Sequence, residues 1–156
     1  MSAISKVRET LKSLNACGEV REFTQPVPTA VAAAEELGCE VGAIANSLIF
    51  SAESAPLLII ASGAHRVNLK MVAKELGIKK IDRADPDFVL QSTGQAVGGV
   101  APIGHPSPIK TIIDKALFDH HVIWAGGGSE HAMFSTNAEE LVRMTSGTVM
   151  VVSSQD

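Results

Sequence analysis

The sequence predicts a mixed α/β (α+β) fold, with one mixed β-sheet and helices packed outside it. Strand-like and helical segments are interleaved without the regular strand–helix–strand rhythm of a doubly wound fold. Two apolar runs, residues 44–51 and 57–61, lie close enough in the sequence to form a hairpin. Of the 156 residues, 46% are hydrophobic and only 4% are aromatic, so we expect a single domain over residues 1–156 with an aliphatic core.

The elements of the first half of the chain are marked by apolar spacing and by the residues that end them. Apolar residues three or four positions apart predict helices, and each such run ends before a glycine. Short apolar runs predict strands. In chain order this predicts a helix over 2–14, a strand over 20–23, a helix over 29–37, strands over 44–51 and 57–61 joined by a loop over 52–56, and a helix over 67–76.

The second half adds two helices with recognisable starts. Asp85 followed by Pro86 predicts a helix to about residue 92, because aspartate caps a helix and proline fits its first position. The run Thr136-Asn137-Ala138-Glu139 matches a capping box ahead of a helix over 140–144. The remaining apolar runs predict strands over 109–113, 122–125, 132–134 and 149–152.

The most distinctive segment runs from Gly98 to His105 and continues into Pro106 and Pro108. Three glycines and three prolines within eleven residues exclude a regular helix or a central strand. The segment therefore predicts a rigid loop whose backbone amides face outward, suited to a carbonyl, ribose or phosphate group of a ligand. A tight connection between two strands is the alternative.

Composition excludes several classes of function. A net charge of −4 argues against broad, non-specific binding to nucleic acid. Cys17 and Cys39 have no metal-type spacing and are interpreted as reduced thiols of a cytoplasmic protein. No apolar leader and no long apolar run is present, so neither export nor a membrane partner is expected.

The histidines do not form a metal-binding pattern, and we expect no metal site. None of them belongs to an HExxH or CxxC arrangement; they are His65, His105, His120, His121 and His131. Residues 98–104, which we call the glycine loop, directly precede His105, so His105 is the histidine expected nearest to a ligand. No serine nucleophile elbow is visible, so any catalysis should depend on backbone dipoles and positioning.

Three further positions have two interpretations each. Arg66 could hold a phosphate or carboxylate, or form a salt bridge at a helix start. Asp114 could cap a following helix or orient a ligand hydroxyl. The segment 126–129, with three consecutive glycines, could be an anion-binding nest or a hairpin turn.

Four segments carry a resemblance to a known family: residues 44–50, 62–68, 98–105 and 124–128. In this order they resemble the YbaK/prolyl-tRNA-synthetase-associated editing domains, whose members hydrolyse mischarged aminoacyl-tRNA. The likeness covers residues 5–152, and its most specific part is the GxxxP pattern from Gly98 to Pro102. It implies a sheet curled toward a barrel, with helices outside and a pocket at one end.

The resemblance also implies a substrate and partners. The expected substrate is an aminoacyl ester on the 3′-terminal adenosine of a prolyl-type tRNA that carries a small non-cognate amino acid such as alanine, cysteine or serine. The expected partners are the acceptor end of this tRNA and an aminoacyl-tRNA synthetase, with the protein itself a monomer or homodimer. No cofactor is implied.

The implied site is built largely from backbone groups that hold the ester carbonyl and the terminal ribose while a water, or the substrate's own group, attacks. Its catalytic residues would be Asn46, Gly98, Gly99, Ala101 and Pro102. Its substrate-binding residues would be Ser47, Arg66, Val100, Gly104, His105, Asp114, Gly127 and Gly128. On this interpretation Gly99→Val abolishes activity with little loss of folding.

The sequence departs from the family pattern at Asn46, where the family carries a lysine. Asparagine can still form hydrogen bonds, but its neutral side chain removes about 1.5–3 kcal/mol of charge-assisted contact. The chain is then either a deacylase that works without the lysine or a non-catalytic module that binds aminoacyl-tRNA, a nucleotide or an amino acid. Two more hypotheses stay open: Asn46 is an ordinary strand residue, or the chain is a metal-dependent hydrolase that uses the histidines.

Overall fold

The computed structural model describes residues 2–154, which form an eight-stranded mixed sheet flanked by five α-helices. Short 3₁₀ helices occupy Val41–Ala43 and Lys115–Asp119. The mixed α/β fold expected from the sequence is confirmed. In chain order the elements are α1 (Ala3–Ser13), β1 (Val20–Glu22), α2 (Ala30–Leu37), β2 (Ile44–Ala52), β3 (Ala55–Ser62), α3 (Leu69–Leu76), β4 (Ile81–Arg83), α4 (Pro86–Thr93), β5 (Lys110–Asp114), β6 (Ile123–Gly126), β7 (Ala132–Thr136), α5 (Ala138–Thr145) and β8 (Thr148–Met150).

The strands follow one path in the order β1-β7-β6-β2-β3-β5-β8, and β4 pairs with β2 beside this path. Three pairs are parallel, β2 with β6, β3 with β5 and β5 with β8, and the other pairs are antiparallel. Strands β1 and β8 end the path, and within residues 2–154 no pairing between them closes the sheet into a barrel.

Helices cover both faces of the sheet because the central strand β3 is apolar on both sides. Leu58 and Ile60 pack with residues of α1, α4 and α5, whereas Leu57 and Ile59 pack with residues of α3. All four side chains are at most 1% exposed. This continuous apolar run is typical of a strand buried on two faces. Within residues 2–154 every helix falls short of the length and hydropathy that a membrane-spanning segment requires.

One edge of β2 is left open in its middle. Along its other edge β2 pairs with β3 over its whole length, from Ala45 to Ala52. On the open side β6 pairs only with Ile44 and Ala45, and β4 pairs only with residues 50–52. Residues 46–49 therefore have no neighbouring strand on this side within the described chain, and we call this segment the β2 gap.

Two local predictions were wrong. The β2–β3 connection is a two-residue turn, not a loop over 52–56, because Glu53 and Ser54 both adopt left-handed conformations with φ of 51° and 74°. The cap of α5 is Asn137, whose Oδ1 accepts a hydrogen bond from the Glu140 amide at 2.8 Å. Thr136 does not cap the helix; its hydroxyl donates to the carboxylate of Glu140 at 2.6 Å.

Candidate active site

A cavity of about 630 Å³ opens at the β2 gap. Residues 44–50 of β2 line it, together with residues 65–67 of the loop after β3 and residues 97–100 at the start of the glycine loop. Residues from both faces of β2 contribute, so the cavity surrounds the open edge of this strand. Its volume lies in the range of roughly 300–1,000 Å³ that is usual for small-molecule sites.

The glycine loop is braced from inside by Gln95, whose side chain is 2% exposed. Gln95 Oε1 accepts a hydrogen bond from the Ala101 amide at 2.6 Å, and Nε2 donates to the Ile103 carbonyl oxygen at 3.3 Å. The expectation that the loop amides face outward is therefore wrong at Ala101. Within the described residues the amides of Gly98 and Val100 donate to no acceptor, and both residues line the cavity.

Gly99 allows the glycine loop to touch the β6–β7 connection. A Cβ atom at Gly99 would overlap the backbone of Ser129. The Gly99 carbonyl oxygen also accepts a hydrogen bond from the Gly128 amide at 2.9 Å. Contact between two backbones at this point fixes the loop where it lines the cavity.

Gly127 and Gly128 belong to the β6–β7 connection and lie outside the cavity lining. The Gly127 amide donates to the Ala132 carbonyl oxygen at 2.8 Å, and the Gly128 amide is engaged with Gly99. Because both amides already have acceptors, they are not available to an anion. Of the two interpretations of residues 126–129, the hairpin turn is correct and the anion-binding nest is wrong.

Ala101, Pro102 and Gly104 are also absent from the cavity lining. Ala101 and Pro102 are buried, and Ala101 packs in the core on the side of α1 and α4. Gly104 has a φ of 84°, which favours glycine. These residues shape the loop from behind, whereas Gly98, Gly99 and Val100 form the part of it that meets the cavity.

Asn46 and Ser47 occupy the β2 gap and line the cavity from opposite faces of the strand. The Asn46 side chain is exposed, and Ser47 is half-buried on the face of Ala45 and Ile49. Ser47 Oγ is the one buried side-chain oxygen or nitrogen within residues 2–154 that has no hydrogen-bond partner. The site thus contains an amide side chain and an unsatisfied hydroxyl next to each other in sequence.

Asp114 acts on the cavity through His65. Its carboxylate, 1% exposed at the end of β5, accepts hydrogen bonds from the amides of Ser62 and Ala116, both at 3.0 Å. His65 Nδ1 donates to the same carboxylate at 2.9 Å. His65 lines the cavity and Asp114 does not. Asp114 therefore caps the following 3₁₀ helix, as in the first of its two interpretations, and also fixes the loop after β3 through His65.

His105 lies outside the cavity lining, contrary to the expectation that it is the histidine nearest a ligand. Its Nε2 donates to the Ala101 carbonyl oxygen at 2.8 Å. Burial lowers the pKa of the ring, and this hydrogen bond offsets the effect only in part. His105 therefore braces the glycine loop as a neutral imidazole, and the histidine at the cavity is His65.

Protonation of His105 is expected to destabilise the fold. Because its pKa is lowered in the folded state, its contribution is present above the unfolded pKa of about 6.5 and is lost as the pH falls toward the folded pKa. His105→Gln should flatten the pH dependence of urea unfolding below the unfolded pKa of about 6.5. His121→Gln, at an exposed histidine, is the control, and equal flattening by both variants would contradict this assignment.

Two arginines bring positive charge to the cavity. Arg66 and Arg83 are both exposed and both line the cavity, from the loop after β3 and from β4. Within residues 2–154 neither guanidinium forms a salt bridge, although other arginines do. The interpretation of Arg66 as a salt-bridge residue at a helix start is therefore wrong within the described part of the chain. The sequence analysis missed Arg83 because β4 has only three residues and shows no apolar pattern.

The chain matches known proteins over most of its length. The family model described as an aminoacyl-tRNA editing domain matches residues 24–144. An uncharacterised protein of Bacillus subtilis, YwhH, is 27% identical over 150 residues, which cover 96% of this chain and 95% of the relative. EbsC of Enterococcus faecalis, a candidate Cys-tRNA(Pro)/Cys-tRNA(Cys) deacylase, is 24% identical over 82% of this chain and 79% of its own.

Longer relatives and solved structures point the same way. The proline–tRNA ligase of Thermosipho melanesiensis is 29% identical over 94 residues, which make up 60% of this chain and 16% of the ligase. A crystal structure of a candidate trans-editing enzyme for prolyl-tRNA synthetase superposes with a TM-score of 0.92 and 31% identity, covering 98% of each chain. The matched segment contains β2, the glycine loop and both cavity arginines. The chain belongs to the aminoacyl-tRNA editing domain family.

Proposed function

We propose that this protein is a trans-editing deacylase that hydrolyses the ester of a mischarged tRNA. The proposed substrate is a prolyl-type tRNA carrying a small non-cognate amino acid, such as alanine, cysteine or serine. The observation that carries the proposal is the cavity at the β2 gap, where the unengaged amides of Gly98 and Val100 lie in the same lining as Asn46. The names of the relatives support the reaction class.

The chemistry needs no protein nucleophile. Amides of Gly98 and Val100 would donate to the ester carbonyl oxygen and stabilise the negative charge that develops on it. A water oxygen bonds to the carbonyl carbon, and the bond from that carbon to the ribose oxygen then breaks. The protons of the water are divided between the released amino acid and the ribose hydroxyl, so the products are a free amino acid and uncharged tRNA.

Asn46 can support this reaction as a neutral donor. Its side-chain NH₂ group carries two donors and stands at the exposed side of the β2 gap, where a ribose or ester oxygen can accept. A neutral amide loses the attraction of the family's lysine for phosphate, and the two cavity arginines supply positive charge instead. The proposed site therefore assigns carbonyl polarisation and phosphate attraction to different residues.

Removal of the cavity arginines should weaken tRNA binding and its dependence on salt. Each phosphate contact that is lost lowers the slope of log affinity against log salt concentration by about 0.7 for a single strand. Arg66→Ala and Arg83→Ala should each reduce the slope by about this amount for uncharged tRNA. Arg21→Ala, which removes an arginine outside the cavity lining, should leave the slope unchanged, and the same change in all three variants would refute the assignment.

The proposed function is tested by a deacylation time course against prolyl-type tRNA charged with alanine, cysteine, serine or proline. Selective release of one of the first three amino acids, with prolyl-tRNA left intact, is the expected result. Release of none of them above the spontaneous rate would refute the deacylase proposal.

A non-catalytic binding module is the second candidate, and Asn46 is the observation that favours it. Such a module would keep the cavity and bind aminoacyl-tRNA while releasing nothing. It would recognise the same acceptor end, and a synthetase would be its natural partner in clearing mischarged tRNA. Deacylation by the Asn46→Lys variant separates the two candidates.

A further inference from the structure

The middle of the β2 gap carries backbone groups that no strand of the described chain uses. The Gly63 amide donates to the Ile44 carbonyl oxygen at 2.8 Å, so the polar backbone groups of Ile44 point toward β3. In an antiparallel strand the backbone N–H and C=O groups of successive residues point alternately to the two sides. The backbone groups of Asn46 therefore point toward β3, and those of Ser47 point away from β3. Strands β4 and β6 pair with β2 only on either side of the gap. Among residues 2–154 the N–H and C=O groups of Ser47 thus meet the cavity without a partner.

The side chain of Ser47 adds a third polar group without a hydrogen-bond partner in the described chain. Its Oγ is buried and has no hydrogen-bond partner within residues 2–154. Buried hydroxyl groups are nearly always hydrogen-bonded, since a buried polar group without a partner is unfavourable. Three unsatisfied groups of one residue, at the edge of a cavity, indicate a ligand that brings both donors and an acceptor.

We propose that the α-amino acid portion of the substrate binds as an additional residue at the open edge of β2, directly opposite Ser47. This inference rests on the proposed function for the identity of the ligand. The α-ammonium group donates to the Ser47 carbonyl oxygen, and the Ser47 N–H donates to the acyl carbonyl oxygen. These are the two bonds that directly opposed residues of an antiparallel pair exchange. Ser47 Oγ accepts a second N–H of the ammonium group, which has three.

This arrangement recognises the α-ammonium group and the acyl carbonyl oxygen, which all α-aminoacyl groups share. The acyl carbonyl oxygen has two lone pairs, so one bond from Ser47 leaves the second lone pair for an amide of Gly98 or Val100. The side chain of the amino acid is then selected by the rest of the cavity. An acyl group with an α-hydroxyl in place of the α-ammonium keeps a single neutral donor, so it loses the charge and cannot donate to the Ser47 carbonyl oxygen and Oγ at the same time.

The test is binding of two tRNA analogues that cannot be hydrolysed, because an amide replaces the 3′ ester. One analogue carries an alanyl group and the other a lactyl group, in which a hydroxyl replaces the α-ammonium. The natural protein should bind the alanyl form about 10- to 100-fold more tightly, as expected for a charge-assisted hydrogen bond. Equal affinity for the two forms, or no binding of either, would overturn the inference.

Two serine variants locate the effect. Ser47→Ala should reduce the preference for the alanyl form about 3- to 10-fold. Its melting temperature should stay the same or rise, because the lost hydroxyl has no partner within the described chain. Ser51→Ala is the matched control, since Ser51 lies on the same face of β2 but pairs with Asp82 of β4 and is outside the cavity lining. A full preference in Ser47→Ala, or a lower melting temperature, would overturn the role of the hydroxyl.

Failure of this inference and failure of the proposed function give different results. Release of amino acid from ester-linked tRNA is measured separately, on the same proteins. Ammonium-dependent binding without release would refute the deacylase and leave the inference standing. Release combined with equal binding of the two analogues would refute the inference and leave the deacylase standing.

Discussion

Gly99→Val is expected to abolish deacylation and to lower the free energy of unfolding by about 2–3 kcal/mol. The backbones of Gly99 and Ser129 are already in contact, so a Cβ at this position forces the two loops apart. Displacing the glycine loop moves the amides of Gly98 and Val100 away from the ester carbonyl. Such misplacement of an oxyanion donor reduces rates by about 100-fold or more.

The measurement combines urea unfolding with single-turnover deacylation under conditions where the variant is folded. Ala96→Val is the control, because Ala96 is exposed just before the glycine loop and lies outside the cavity lining. It should retain both stability and activity. An active Gly99→Val variant of unchanged stability would show that the contact with Ser129 does not position the site. The sequence predicted that Gly99→Val would cost little stability. The contact with Ser129 in the structure instead predicts a substantial loss of stability.

Asn46→Lys should reduce the catalytic efficiency of the natural protein by about tenfold or more. If the α-ammonium of the substrate binds opposite Ser47, a lysine at the neighbouring position brings a second positive charge to the same cavity. A tenfold loss needs a repulsion of only about 1.4 kcal/mol, which two positive charges reach at an effective dielectric constant of 20 even when they are about 12 Å apart. The variant is assayed on the amino acid that the natural protein releases fastest.

Ser13→Lys is the control for Asn46→Lys, because it adds the same charge on the exposed surface of α1, away from the cavity. It should leave the rate unchanged. A gain of tenfold or more with Asn46→Lys would instead favour the non-catalytic module, in which asparagine has replaced a required lysine. Loss of activity in the lysine variant of an active natural protein favours an enzyme adapted to the neutral side chain.

Most of the fold could be predicted because its elements carry local signals. The helices over α2, α3 and α4 end at glycines in left-handed conformations, with φ of 69°, 70° and 73°, and such ends are visible in the sequence. The long apolar runs identified β2 and β3. Strand β4 was missed because Asp82 and Arg83, two of its three residues, are exposed and polar. The β2 gap could not be foreseen, since β4 forms one of its borders.

The site could be predicted where it depends on local composition and not where it depends on distant contacts. The glycine loop and Asn46 are recognisable in the sequence, and they line one cavity. The role of Gln95 is invisible in sequence, because one glutamine side chain holds the backbone of two residues further along the loop. The bond between His65 and Asp114 joins positions 49 residues apart, which no local pattern reveals.

If hydrolysis of a mischarged tRNA takes place in the cavity at the β2 gap, a ligand bound there must block it. The decisive measurement is single-turnover release of alanine from a prolyl-type tRNA, with and without a saturating amount of the amide-linked alanyl analogue. We predict release well above the spontaneous rate and its suppression by the analogue. Release that the bound analogue does not slow, or no release at all, would show that the cavity is not the site of hydrolysis.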